Sequence, residues 1–343
     1  MPTCAIVSFR LGLSDGVSVV AATWQRALRT LGFDVVTIAG DGPVDHRVPG
    51  LAIGAADPPT PEDLADVFAD TDLVVVENLC TIPLNLPAAR AVASVLRGRP
   101  AILHHHDPAW QQEKYARVHE LPPTDPAWRH VVINRLSLLQ FAELGLDAML
   151  IYNGFDPNPP PGERTRTRDA LEVADDERLL VHPVRAIARK NVPAAVALTE
   201  AVGGTYWLLG QAEDGYEPQL RRVLDAATCR VIEGVGPHTV HDAYAAADAV
   251  AFPSTWEGFG NPPIEASLHR KPVAIGTYPV AQELQALGFR WFDASCPADL
   301  DRFLAAPDEG LLDHNQRVAR ARFSFDRMAA GLEALLADAG WLP

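Results

Sequence analysis

Two doubly wound α/β domains of the Rossmann-like kind are what this 343-residue sequence predicts, and three observations carry the expectation. Short apolar, β-rich runs alternate with helical patterns along the chain, the βαβα order of parallel sheets covered on both faces. A Pro/Gly stretch without any buried pattern, Asn153 to Gly162, interrupts that alternation near the midpoint and reads as a hinge. The length suffices for two domains, each with its own core. The expected division is residues 1–155, residues 156–325 and a closing helix in residues 326–343, with the two main domains facing across a cleft.

In the first half, strands are expected at Cys4–Phe9, Asp34–Ile38, Leu73–Glu77, Ala101–His105, His130–Ile133 and Ala148–Tyr152. The first helix is the clearest: Val20, Trp24, Leu28 and Leu31 recur at helical spacing and Gly32 ends it. In the second half, strands are expected at Leu179–His182, Thr205–Leu209, Arg230–Ile232, Ala249–Phe252 and Pro272–Gly276. The last helical pattern runs from Phe325 to Ala337.

Composition narrows the function classes. A formal charge of −15 argues against nucleic acid or an anionic membrane as the main partner, because either calls for a basic face. Four cysteines (Cys4, Cys80, Cys229, Cys296) are widely spread, with no C-x-x-C pair, and fit reduced thiols in a cytoplasmic protein. Ala5 to Phe9 is too short for a signal or membrane segment, and no run of about 18 apolar residues occurs. The first helix carries only Arg26 and Arg29, and Glu62, Asp63 and Asp66 make an acidic stretch further on. That is not the basic amphipathic face that docks on lipid, so no stable membrane binding is expected. Self-association as a homodimer stays open.

Four stretches could carry chemistry near the carboxyl ends of expected strands, where open α/β sheets bind ligands. The loop Leu11 to Ser18 runs into a helix N-terminus, so its backbone N–H groups, Gly16 among them, could face an anion or a sugar. It lacks the G-x-G-x-x-G spacing of dinucleotide sites. Asp15 adds a carboxylate there, suited to an acceptor hydroxyl. The run His104-His105-His106-Asp107 closes another strand. Alternate side chains point to opposite faces, so His104 and His106 share a side and His105 does not. Three neighbours cannot close round one ion, and no metal is assigned. Arg185, Arg189 and Lys190 follow the first strand of the second domain. A guanidinium fork at 185 and a point-charged ammonium at 190 suit a diphosphate, while Arg189 reads as a solvated charge at a helix start.

The fourth stretch, Pro253-Ser-Thr-Trp-Glu257-Gly-Phe-Gly-Asn-Pro-Pro-Ile-Glu265-Ala, sets two carboxylates eight residues apart. Asn261 is a favoured N-cap, and Pro262 and Pro263 are tolerated in a first helical turn. Glu257 should then lie in the loop and Glu265 in that first turn, beside a positive helix terminus.

This last run resembles the E-x7-E signature of retaining glycosyltransferases with the GT-B fold, of the family 4 type. Arg185 and Lys190 carry the spacing of that family's Gly-Arg-x-x-x-x-Lys-Gly/Asn segment, with Pro183-Val184 where Gly often stands. Asn153-Gly154-Phe-Asp156 is similar to its Asn-Gly-Val-Asp junction. Asp15 replaces the first residue of the family's Gly-Gly pair and Gly16 keeps the second. The Asp-Gly-Val-Ser form also resembles a subgroup that includes mannosylglucosylglycerate synthases.

The resemblance implies a hexosyltransferase using a nucleotide sugar of the GDP-mannose or UDP-glucose type, a small polar acceptor, no metal and no cofactor. Glu257 would hold hexose hydroxyls and Glu265 the ribose, while Arg185 and Lys190 take up charge on the departing diphosphate. Gly16, Gly258 and the amides of Phe259, Gly260 and Asn261 would meet the donor, with the base near Gly234. His106 would stand beside the hexose, and Asp107 and Trp110 would line the acceptor side. The last helix would cross back onto the first domain. An epimerase of the same architecture would need further acidic groups, and a phosphorylase a cofactor lysine and a longer chain. A silent nucleotide-sugar binder is the rival outside catalysis, and the full set of donor residues counts against it.

Overall fold

A computed structural model describes every residue except Ser14 and Pro237. The chain forms two compact units, Met1–Gly154 with Phe325–Pro343, and Phe155–Ser324.

The first unit runs β1 (Thr3–Arg10), α1 (Gly16–Thr30), β2 (Asp34–Asp41), β3 (His46–Arg47), α2 (Pro61–Val67), β4 (Leu73–Glu77) and α3 (Leu86–Leu96). It continues through β5 (Ala101–His105), β6 (Trp128–Val132), α4 (Arg135–Glu143) and β7 (Met149–Leu150). The second unit holds α5 (Arg164–Ala170), β8 (Leu179–His182), α6 (Val192–Ala201), β9 (Thr205–Leu208), α7 (Glu217–Asp225) and β10 (Val231–Glu233). After these come α8 (Val240–Ala246), β11 (Ala249–Phe252), α9 (Asn261–Leu268), β12 (Val273–Ile275) and α10 (Pro279–Ala286). β13 (Phe292–Asp293), α11 (Pro297–Ala305) and α12 (Glu309–Phe323) complete it, and α13 (Phe325–Ala339) belongs to the first unit.

Each unit is built on one parallel sheet. The orders are β3-β2-β1-β4-β5-β6-β7 and β10-β9-β8-β11-β12-β13. Parallel strands buried on both faces read as continuous apolar runs, and Leu73–Val76 in β4 and Ala249–Phe252 in β11 are of that kind, every residue buried. In the first unit α1 covers one face with Val20, Trp24 and Leu28, and α3 covers the other with Ala88, Val92 and Leu96. α13 packs Met328, Leu332, Leu335 and Leu336 into the same cluster as α1. Gly154 lies against α13 so closely that a Cβ there would stand 2.7 Å from Met328 Cβ, which explains the glycine.

The edge strands β3 and β13, two residues each, carry no expectation from sequence. His46 and Arg47 are exposed, so no apolar period marks them. At the other edge β7 is shorter than the expected Ala148–Tyr152. All four cysteines are free. Among the described residues no helix is long and apolar enough to cross a membrane.

In such sheets ligands bind outside the carboxyl ends of strands where the order reverses. That point falls between β1 and β4 in the first unit and between β8 and β11 in the second.

Candidate functional site

In the second unit the loops after β8 and β11 are tied together. Thr255 N–H donates to Arg189 O at 2.9 Å and Asn191 Nδ2 reaches Pro253 O at 3.3 Å. Asn191 takes a left-handed φ of 54°, a conformation Asn tolerates, and turns the chain into α6. The two loops bring the basic cluster onto Glu257. Lys190 Nζ lies 2.5 Å from Glu257 Oε1, and Arg189 donates to Oε2 and to Trp256 O. Glu257 and Lys190 are 5 % and 8 % exposed, so this is a nearly dry ion pair whose loss on one side leaves a buried charge.

Burial alone would raise the Glu257 carboxyl; Lys190 and Arg189 outweigh it and hold the group at about 2. Burial draws the Lys190 ammonium down to about 8 against the pull of Glu257. Arg185 stands at the rim, half-exposed, with its guanidinium 2.5 Å from Glu213 Oε2. Here Arg189 departs from its expected solvated place. Glu257 has two oxygens to satisfy, and Lys190 reaches only one of them.

The helix start also differs from expectation. Gly260 is the N-cap of α9 with φ 94°, and Asn261 is the first helical residue rather than the cap. A left-handed φ favours glycine, and a Cβ at 260 would also meet Tyr278 Oη at 3.0 Å. Glu265 therefore lies beyond the first turn, which holds no acidic residue. Its Oε2 accepts from Tyr244 Oη at 2.7 Å, and burial raises its carboxyl above the ordinary value while that hydrogen bond opposes the shift. Gly258 and Phe259 fill the loop between the glutamates, with Phe259 buried. Gly234 follows β10 with φ 80°, and a Cβ there would meet nothing within 4 Å.

In the first unit, Gly16 opens α1 and its surroundings are open, with nothing within 4 Å of a Cβ. Asp15 has partners of its own. It is the N-cap of α1, accepting from Ser18 N at 3.3 Å and Ser18 Oγ at 2.8 Å, and Arg10 Nε stands 3.3 Å from its Oδ2. An aspartate one residue before a helix finds its strongest local partners in that helix's own first turn. Ser14, in the same loop, lies outside the described residues.

At the end of β5, His104 and His106 do share a face, and both meet Glu77 at the end of β4. His106 Nε2 is 2.8 Å from Glu77 Oε2, and His104 Nδ1 faces both oxygens, 3.1 Å from Oε1 and 3.0 Å from Oε2. His105 points the other way, to Thr81 Oγ1 at 2.5 Å and His130 Nδ1 at 2.9 Å. Glu77 is fully buried; burial would raise its carboxyl, but His104 and His106 bring it down to about 2. One ligand atom each from Glu77, His104 and His106 lie within 4.8 Å of one another, an arrangement that could also close on an ion. Asp107 accepts from Asn78 Nδ2 at 3.2 Å. Trp110 donates from Nε1 to Gln140 at 3.0 Å and packs on Phe141.

Sequence reasoning missed Glu77, Asn78, Glu213 and Tyr244. Glu77 left a signal, a lone acid ending an otherwise apolar parallel strand; the other three are ordinary polar residues until the fold sets them beside the site.

The family described as "Glycosyl transferases group 1" matches residues 184–289, which hold Arg185, Lys190 and both glutamates. Mannosylglucosylglycerate synthase of Petrotoga mobilis is 24% identical, with 87% of each chain covered. The synthase of that name from Thermotoga maritima is 23% identical, covering 94% of this chain and 97% of its own. Among solved structures, Anabaena Alr3699/HepE in complex with UDP-glucose superposes with a TM-score of 0.77 at 20% identity, over 98% of this chain and 99% of that one. The two Rossmann-like units thus have the GT-B architecture.

Proposed function

We propose that this chain, a glycosyltransferase with the GT-B fold, moves a hexose from a nucleoside diphosphate sugar to a hydroxyl of a small polar acceptor, with retention of configuration. The observation that carries the reading is the buried Lys190–Glu257–Arg189 cluster at the β8/β11 switch point, with Arg185 at its rim. Glu257 and Glu213 orient these cations at the strand ends, and a diphosphate would add further oxygen acceptors to them.

In the reaction, the bond from hexose C1 to the diphosphate oxygen breaks as the acceptor oxygen bonds to C1 on the same face. The acceptor's proton passes to a phosphate oxygen. Lys190 and Arg185 stabilise charge growing on the leaving diphosphate, where fixed cations in a water-poor site act most strongly. The amides of Phe259, Gly260 and Asn261 add N–H donors, since Pro262 and Pro263 have none. Glu257 orients hexose hydroxyls and Glu265 takes the ribose. His106, Asp107 and Trp110 serve the sugar and acceptor hydroxyls. The likeness to two enzymes named as mannosylglucosylglycerate synthases makes a glycerate-type sugar the first acceptor to try.

The direct test is transfer by the purified protein across UDP- and GDP-hexose donors and a panel of small hydroxylated acceptors, with the product anomer read by NMR. Release of nucleoside diphosphate with transfer, and the donor's anomeric configuration kept, is the expected result. Absence of turnover despite nucleotide binding would favour a silent binder.

This reading gives the donor's charge to side-chain cations and asks for no metal. Activity is expected to survive EDTA. Loss on chelation with recovery by one divalent ion would count against the mechanism.

A further inference from the structure

Glu77 is a buried charge for which the transfer chemistry gives no task. The rest of β4 is Leu-Val-Val-Val, and an apolar residue at 77 would avoid the cost of burying a carboxylate. Among the described residues no lysine or arginine pairs with it; its side-chain partners are the imidazoles of His104 and His106. Asn78, at φ 59°, holds the backbone that carries the second of these. Its Oδ1 accepts from the N–H groups of His106 and Asp107, both at 3.1 Å, and its own N–H donates to His104 O at 2.8 Å. Trp24 stacks on His104 at 4.1 Å and closes the cluster from the α1 side. One residue thus fixes the His106 ring and its neighbour fixes the main chain beneath it.

We infer that Glu77 is a positioning residue: by accepting Nε2–H of His106 it sets the ring's tautomer and leaves Nδ1 as a bare lone pair for a sugar hydroxyl. This deepens the glycosyl-transfer reading and rests on it for the identity of the hydroxyl. The two oxygens of a carboxylate can accept from two imidazole N–H groups at once. A glutamine offers one acceptor and one donor, so one imidazole must change tautomer or lose its bond. His104 Nε2 is buried without a partner, as suits a ring whose proton sits on Nδ1 facing Glu77.

An ion held by the same three residues would require both facing nitrogens to be deprotonated, so the two arrangements carry opposite tautomers. Ring ¹⁵N shifts of the intact wild-type protein, without substrate, read this directly, with the His106 signals assigned by their loss in His106→Gln. Protonated Nε2 and bare Nδ1 are expected. Glu77→Gln should then lower kcat about 10–100-fold, the range for partners that orient a working imidazole, with nucleoside diphosphate affinity within about twofold of wild type. Glu77→Gln/His106→Gln should be no slower than His106→Gln alone, because both act through one ring. A His106 proton on Nδ1, additive losses in the double variant, or a stoichiometric metal that Glu77→Gln removes would each overturn the inference. The tautomer reading stands even if Glu77→Gln fails to fold. It also stands if no sugar is transferred, which would defeat the functional reading alone.

Discussion

Lys190→Ala is expected to weaken nucleoside diphosphate binding and slow transfer, with a combined loss in kcat/KM of about 2–5 kcal/mol, roughly 30- to several-thousand-fold. Two effects coincide. The diphosphate loses an ammonium in a nearly dry site, and Glu257 keeps a buried charge shared with Arg189 alone. The same residue predicts a pH limb. Burial sets the Lys190 ammonium at about 8, below its ordinary value near 10.5, so the charge that binds phosphate is lost from about pH 8 upward. Donor affinity should therefore fall as pH rises through 8, by up to about tenfold per unit for one linked proton. Lys190→Arg should move that limb out of range while keeping part of the affinity, since a guanidinium stays charged there. Calorimetry with the nucleoside diphosphate across pH reads both. Unchanged affinity in Lys190→Ala would sink the assignment.

Much of this was legible in the sequence because parallel α/β architecture writes itself in apolar runs. Leu73–Glu77, Ala101–His105, Leu179–His182 and Ala249–Phe252 were expected at the limits found, since strands buried on both faces read as apolar runs whose polar residues gather at the carboxyl end. The two-residue edges β3 and β13 could not be read, because a period needs more than one repeat, whereas the apolar run at β7 was read, though too long. The site was legible as residue types near strand ends but not as pairings. Spacing placed Arg189 and Lys190 in a loop, but only the fold shows that the loop after β11 brings Glu257 between them. Asp15 shows the converse. Its type and position suited an acceptor, and the fold adds what spacing could not show, a capping bond from Ser18, three residues away. Local hydrogen bonds of that kind compete with any ligand for a short acidic side chain.

The two glutamates should separate by what each variant loses. Glu257→Gln removes the charge that Lys190 and Arg189 now share, so those cations become freer for phosphate. Nucleoside diphosphate affinity should hold or rise on the acid side of neutrality, and its alkaline loss should begin below the wild-type limb near 8, because Glu257 no longer holds the Lys190 ammonium up against burial. Turnover should fall about 10²–10³-fold as the hexose loses a charged acceptor in the transition state. Glu265→Gln should do the reverse. Its amide oxygen can still accept from Tyr244, so the helix stays in place, but the charge-assisted bonds to the ribose are gone. Hydrogen bonds to a charged group contribute roughly 1.5–3 kcal/mol, so nucleoside diphosphate affinity should drop about 10- to 150-fold, with a smaller effect on kcat at saturating donor. Acid gives a second signature. The Glu265 carboxyl sits above its ordinary value, so its ionised form is lost earlier as pH falls. Wild-type nucleotide affinity should decline more steeply on the acid side than that of Glu265→Gln, whose remaining slope is the diphosphate's own ionisation, whereas Glu257, held at about 2, contributes no limb in that range. Equal loss of nucleotide affinity in both variants would mean that the roles of hexose and ribose contact have been exchanged or shared.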